Sequence, residues 1–164
     1  MADVTDLFYA GSAFIGYGTQ LLVGQDDGSP ETFVAVAGIT SIQPGEMTAN
    51  VINKTHLRSP GRAHEKISTI RDIGPFTITG NAMPTHGSQS NAGGDGFTSG
   101  GLLAIHRSQE ERNFKIVLSD GSPGTELPFR GVVSAFQWGD VALDNLVSFT
   151  ASIQPLADYT AALP

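Results

Sequence analysis

The tetrapeptide Asp-Gly-Ser-Pro occurs twice, at 27–30 and at 120–123, and each copy stands between two segments of strand character. At the same offset of 93 residues Thr32 matches Thr125, Gly38 matches Gly131 and Ser41 matches Ser134. Asp-Gly followed by Ser-Pro supplies a residue free to take positive φ, a fixed φ at proline and side chains that cap a turn. Each copy therefore predicts a β-hairpin with a loop of about four to six residues. The first joins 20–24 to 32–42, the second joins 113–119 to 127–138. Duplication, or two hairpins independently using the same good turn residues, gives the same structural expectation.

Alternation extends the strand reading. In Phe76-Thr77-Ile78-Thr79-Gly80-Asn81-Ala82, apolar or small residues alternate with polar ones. Val147, Phe149, Ala151 and Ile153 alternate with Ser148, Thr150, Ser152 and Gln154, giving one apolar face and one hydroxyl and amide face. Weaker strands are expected over 47–53 and 66–70. The one helix candidate is 101–108, where Leu102, Leu103, Ile105 and His106 could cover a core edge. It follows a glycine-rich stretch, 93–100, that cannot hold a fixed shape alone. The segments 1–18, 45–66 and 87–100 are aperiodic, polar or glycine-rich, and they predict mobile parts of a free subunit. About eight strands and one short helix make an all-β sandwich or barrel. Twenty Gly and nine Pro in 164 residues argue the same way, since a helical bundle would not tolerate so many. The length suits one domain.

Charge is segregated. Residues 1–53 carry Asp3, Asp6, Asp26, Asp27, Glu31 and Glu46 with no Lys or Arg. Five of the nine basic residues, Lys54, Arg58, Arg62, Lys66 and Arg71, then fall in one stretch opposed only by Glu65. The rest of the chain is acidic again, and the three parts carry −6, +4 and −5 of a total of −7. An acidic body with one basic segment can attract copies of itself. That contact joins unlike surfaces, so it generates rings or filaments rather than a closed dimer. A solvated polar loop with clustered charge is the bland alternative. The net charge opposes tight binding along a phosphate backbone.

Catalysis has no anchor in the sequence. There is no cysteine, so neither a disulfide nor a thiolate metal site is possible. His56, His64, His86 and His106 lack metal-ligand spacing, and Ser68 stands where a zinc-protease helix beginning at His64-Glu65 needs its second histidine. No serine sits in a Gly-x-Ser-x-Gly elbow, and the 93–101 stretch lacks the Gly-Lys-Ser/Thr ending of a phosphate loop. No cofactor is expected. Phe136, Trp138 or Tyr17 could form a sugar-stacking platform, although aromatic residues ending an amphipathic strand are more often core. The first residues carry acids where a signal peptide needs positive charge, and no apolar run approaches a membrane span, so a soluble chain without membrane insertion is expected.

In order along the chain stand Glu31-Thr32-Phe33, then Ala37-Gly38-Ile39-Thr40-Ser41-Ile42, then Arg71-Asp72-Ile73-Gly74-Pro75-Phe76-Thr77-Ile78-Thr79-Gly80-Asn81. Glu111-Arg112-Asn113-Phe114-Lys115-Ile116-Val117-Leu118-Ser119-Asp120-Gly121 and Phe129-Arg130-Gly131-Val132-Val133-Ser134-Ala135-Phe136 follow. This order resembles the major tail tube proteins of bacteriophages with long, non-contractile tails, over nearly the whole chain. The resemblance implies a single tail-tube domain, a β-sandwich with a flanking helix, between an N-terminal arm (1–18) and a C-terminal arm (155–164). It implies six-membered rings stacked helically into a hollow tube that delivers DNA without binding it specifically. Expected partners are further copies, a tail terminator, a tape measure and distal tail proteins. The expected location is the virion tail, with assembly in the host cytoplasm. The family's loop to the adjacent ring falls on 45–66, which overlaps the basic segment. Lys54, His56, Arg58, Arg62, His64, Lys66 and Arg71 are therefore the expected inter-ring residues. A tube of a related secretion system or gene-transfer particle, or a carbohydrate-binding β-sandwich, is the alternative.

Overall fold

The computed structural model describes residues 16–58, 60–121 and 123–156, so the two expected arms lie almost wholly outside the described residues. Among the described residues the strands are β1 (Gln20–Gly24), β2 (Phe33–Ala35), β3 (Ile39–Gln43), β4 (Met47–Asn53) and β5 (Lys66–Ile73). They continue as β6 (Phe76–Asn81), β7 (Arg112–Val117), β8 (Glu126–Trp138) and β9 (Ser148–Pro155). One helix, α1 (Leu102–Ser108), lies between β6 and β7. Among the described residues the fold is all-β with one short helix, as the alternation predicts.

Both Asp-Gly-Ser-Pro segments close hairpins, β1–β2 and β7–β8, across eight-residue connections that are longer than expected. The aspartate rather than the glycine sets that length. Thr32 N–H donates to Asp27 Oδ1 at 2.8 Å and Thr125 N–H to Asp120 Oδ1 at 2.7 Å, each across five residues. These bonds favour the ionised carboxylates. The Thr32 backbone and then its side chain lower the Asp27 pKa, and the Thr125 side chain and then its backbone lower that of Asp120.

The echo extends to register. Adding 93 to the pairs Leu22↔Ala35, Val23↔Val34 and Gly24↔Phe33 gives Lys115↔Pro128, Ile116↔Leu127 and Val117↔Glu126, which are the pairs of the second hairpin. The inner strands then pair with each other, Leu21 with Ile116 and Val23 with Phe114, so a local two-fold passes beside Leu22 and Lys115. The likeness ends with the hairpins. Gly38 takes φ +76° in a connection, whereas its match Gly131 sits inside β8.

Seven strands form one antiparallel sheet in the order β2-β1-β7-β8-β9-β6-β3. Strand β8 carries it around a corner. Its first half, to Gly131, pairs with β7, its second half pairs with β9, and its register shifts between Val133 and Ala135. Bulges of this kind let one strand serve two layers. The layers face each other: Phe76 of β6 stacks on Phe129 of β8 with centroids 4.5 Å apart, and Phe129 also stacks on Phe114 of β7 at 5.6 Å. Leu21, Val23, Ile78, Ile116, Phe149 and Ile153 complete a buried core from both layers.

The stretch 32–42 is not the single strand that its apolar run suggests. It is β2 and β3, the two opposite edges of the sheet, joined through Val36, Ala37 and Gly38. Six inter-strand steps of about 4.8 Å would separate those edges by about 29 Å in a flat sheet, while four Cα steps reach only about 14 Å. The sheet must therefore curl. Val36 N–H still bonds Leu21 O, and Asn81 N–H bonds Gly38 O, so this short link spans the seam. The sheet remains open there, because β2 and β3 are not paired.

The glycine-rich loop is tied down rather than shapeless. Gln89, fully buried, donates from Nε2 to Ala37 O and Asn81 O and accepts from Met83 N–H at Oε1. Phe97 enters the core, and Thr98 N–H donates to Oε1 of buried Gln25. A Cβ on Gly87 would lie 1.9 Å from Gly94 O, so only glycine permits that crossing. The loop delivers α1, whose Leu102 and Ile105 are buried and whose His106 donates from Nδ1 to Val133 O at 2.9 Å.

Candidate assembly interface

Strands β4 and β5 form a separate two-stranded ribbon. It leaves the body at a tight stem, where Gly74 N–H bonds Glu46 O and a Cβ on Gly45 would lie 1.9 Å from Gly74 O. Every residue of β4 and seven of the eight in β5 are exposed, Ile73 at the stem being buried. Apolar side chains nevertheless stud the ribbon. Ile52 faces Ile67 across it, Val51 points to the opposite side beside Ser68, and Ile70 is 78% exposed. A two-stranded ribbon is at best marginally stable alone in water. This one carries exposed apolar side chains that its own body does not cover.

The connection 54–65 is organised by local bonds. Lys54 N–H donates to Glu65 O, Thr55 N–H to Asn53 Oδ1, and Glu65 N–H to Thr55 Oγ1. Lys54 Nζ lies 3.7 Å from Glu65 Oε2. The Arg58 N–H donates to His56 Nδ1, Asn53 Nδ2 lies 3.5 Å from His64 Nδ1, and Pro60–Arg62 form a 3-10 turn. Leu57, fully exposed, stands among these polar groups. The expected basic residues therefore gather on the ribbon, with Lys54, His56, Arg58, Arg62, His64 and Lys66 toward its tip. Arg71 lies apart, five residues along β5 from Lys66 and opposite Ala49 near the stem.

The other end of the same layer is chemically different. Gly139 N–H bonds Ser148 O and closes the β8–β9 hairpin, leaving 140–146 exposed. That loop carries Asp140 and Asp144 with three apolar side chains in solvent, Val141, Leu143 and Leu146. No Lys or Arg occurs after Arg130. The apolar residues of ribbon and loop escape a pattern search because they belong to no core face. Single hydrophobic residues set among polar ones, without periodicity, are the signal they leave.

Between these ends the outward face of the layer is polar and uncharged. Thr77 pairs with Ser152, Thr79 with Thr150 and Asn81 with Ser148, flanked by Ser41 and Gln43 on β3 and Gln137 on β8. The aromatic pair weighed as a sugar platform turns the other way. Phe136 stacks on core Phe149 at 5.7 Å and meets Trp138 edge-on at 4.9 Å. A cavity of about 680 Å³ opens beside Tyr17, between β3 and the β7–β8 hairpin, over Ile39, Ile42, Ile116 and Leu127. Ser88, His86 and Asp95 also cluster. Ser88 Oγ (2.9 Å) and Asp95 Oδ2 (3.8 Å) approach the same nitrogen, His86 Nδ1, and Ser88 is fully buried. A relay needs one ring nitrogen for each partner, so these residues brace a turn.

Comparison with known proteins places this architecture. Solved structures of similar fold include the tail of an empty gene transfer agent particle determined with C6 symmetry (15% identity, TM-score 0.61, covering 87% of this chain and 96% of that one). The sheath–tube complex of an extracellular contractile injection system matches at 10% identity and TM-score 0.66, over 99% of this chain and 100% of that one. The SPP1 tail tube matches at 9% identity and TM-score 0.63, over 93% and 81%. No curated protein sequence matches. The sequence model of the lambda phage tail tube protein covers residues 19–158. The chain belongs to the lambda phage tail tube protein family, a family of structural virion proteins rather than enzymes.

Proposed function

We propose that copies of this tail tube protein close into six-membered rings and that rings stack through the β4–β5 ribbon, which reaches into the next ring. The carrying observation is the ribbon itself: an exposed, basic, apolar-studded pair of strands on an otherwise acidic body. On this reading Lys54, His56, Arg58, Arg62, His64, Lys66 and Arg71 belong to the inter-ring contact. Segment 45–66 is then the stacking element of a single domain spanning 1–164. The uncharged face of β3, β6, β9 and the second half of β8 suits the wall of a DNA channel. It offers hydroxyl and amide groups but no cation to hold a phosphate, so passing DNA is not retained.

Stacking through unlike surfaces leaves unlike ends on the finished tube. One end exposes ribbons and the other does not, so a terminator and the distal tail proteins recognise different surfaces, and a tape measure occupies the lumen during assembly in the host cytoplasm. The test is electron microscopy of the purified protein at high concentration. Tubes of uniform diameter with six-fold end views are expected. A protein that stays monomeric at millimolar concentration and never occurs in a particle would sink the reading.

A further inference from the structure

The ribbon and the β8–β9 loop lie at opposite ends of one layer, and strand registers fix this. β6 begins just after the ribbon stem, at Phe76, which pairs with Ile153 near the end of β9. It ends at Asn81, which pairs with Ser148, where the β8–β9 loop enters β9. Gly131 and Trp138 of β8 mark the same two ends through Pro155 and Phe149. Eight residues of β9 at about 3.3 Å each hold the ends about 25 Å apart. Leu57 at the ribbon tip and Val141, Leu143 and Leu146 of the loop are all exposed, so the tip does not cover the loop of its own chain, whereas head-to-tail stacking along these strands would bring the tip of one copy to the loop of the next.

The two ends also match chemically. The ribbon tip presents one fully exposed leucine, Leu57, among basic residues. The loop presents three exposed apolar side chains between two aspartates. Isolated exposed apolar residues are ordinary, but three in a seven-residue acidic loop, opposite a basic tip carrying its own, are complementary in both apolar and charged character. We propose that the receiving site for the ribbon tip is the β8–β9 loop of a copy in the adjacent ring. Leu57 seats among Val141, Leu143 and Leu146, and Asp140 and Asp144 neutralise the basic side chains around it. This inference rests on the stacked-ring reading and adds to it the surface that receives the ribbon.

The absence of cysteine makes the test clean. The double variant Leu57→Cys/Leu143→Cys is assembled and then oxidised, and the products are separated without reductant. The expected result is a disulfide ladder extending well past the copies of one ring, whereas each single variant gives at most dimers. Tubes without a 57–143 link overturn the assignment and leave the tube reading standing. So does a ladder that stops at the copies of one ring, since it would make the loop a lateral contact. A protein that does not associate at any concentration overturns both. A second variant, Leu143→Asp/Leu146→Asp, alters only exposed side chains. It should keep the native melting temperature and lose tubes at least tenfold, with rings remaining, and normal tubes from it would also overturn the assignment.

Discussion

Strands β5 and β6 are separated only by Gly74 and Pro75, yet they meet opposite environments. β6 places Phe76, Ile78 and Gly80 in the core at every second position. β5 spaces Ile67, Ile70 and Ile73 at every third, and all but the last are exposed. A period of two puts apolar side chains on one face of a strand, whereas β5 splits its own across a register shift, with Ile67 opposite Ile52 on one face and Ile73 opposite Met47 on the other. The first pattern is satisfied inside one subunit. The second leaves its apolar side chains outside the subunit's own core, which is what the proposed stacking contact requires.

The sharpest way to break this comparison is to cut the same kind of side chain from each region. Phe76→Ala removes a ring stacked between layers and should cost the unassembled subunit about 3–5 kcal/mol in urea unfolding. Ile70→Ala, on the exposed ribbon, should stay within about 0.5 kcal/mol. Comparable losses would mean that the ribbon is part of the folding unit.

Charge reversal probes the ribbon through assembly instead. An exposed ion pair contributes about 0–1 kcal/mol, but a ring repeats it around its circumference. In the six-membered ring proposed above, about 0.5 kcal/mol per copy makes one pair amount to about 3 kcal/mol per stacking step, over a hundredfold in equilibrium. Arg58→Glu with Lys66→Glu should therefore abolish tubes while leaving the subunit's urea midpoint unchanged. High salt should weaken the native tube in the same direction. Tubes of normal length and rate from the variant would return the basic segment to a solvated loop.

A smaller effect is expected where body and loop meet. Gln89→Leu keeps the volume but leaves Ala37 O, Asn81 O and Met83 N–H without the amide that joins them. The cost should be about 1–3 kcal/mol. If the variant is as stable as the native chain, the glycine-rich loop is not held as described.

These contrasts show what the sequence could and could not reveal. Strands with one core face were legible because Phe76, Ile78, Phe149 and Ile153 alternate with polar residues, and the helix because Leu102 and Ile105 are three apart ahead of a polar stretch. The break inside 32–42 was hidden, since Val34-Ala35-Val36-Ala37 reads as continuous strand and only Gly38 hints at a turn. Local apolarity cannot say that two halves of a run pair with opposite edges of a sheet. The glycine-rich loop misled for a related reason: Gln89 and Phe97 hold it through long-range partners. Of the candidate interface, the basic residues were visible as charge. The acidic loop was not, because its meaning depends on β8 and β9 ending opposite the ribbon stem, a matter of register rather than composition.

The smallest expected effect sharpens the comparison between the twin body hairpins and the ribbon. Both twin turns close on an aspartate whose carboxylate accepts a threonine N–H, and both carboxyls are held below their ordinary value of 3.8 by those bonds. A group whose pKa is depressed on folding adds stability that is fully present above its unfolded value, and that stability is lost as pH falls through its folded value. The contribution of these two residues should thus be constant above pH about 5 and disappear progressively below about 4. Asp27→Asn with Asp120→Asn keeps an oxygen acceptor at each turn but removes the titration. The urea midpoint of the unassembled variant should lie slightly below the native one at neutral pH and converge with it as the pH is lowered. The turn of the ribbon lacks such an aspartate and closes instead on Asn53 and Thr55, so substituting Asn53 should leave the acid limb unchanged. An acid limb as steep in the Asp27/Asp120 variant as in the native chain would show that the echoed aspartates shape the turns without contributing to their pH dependence.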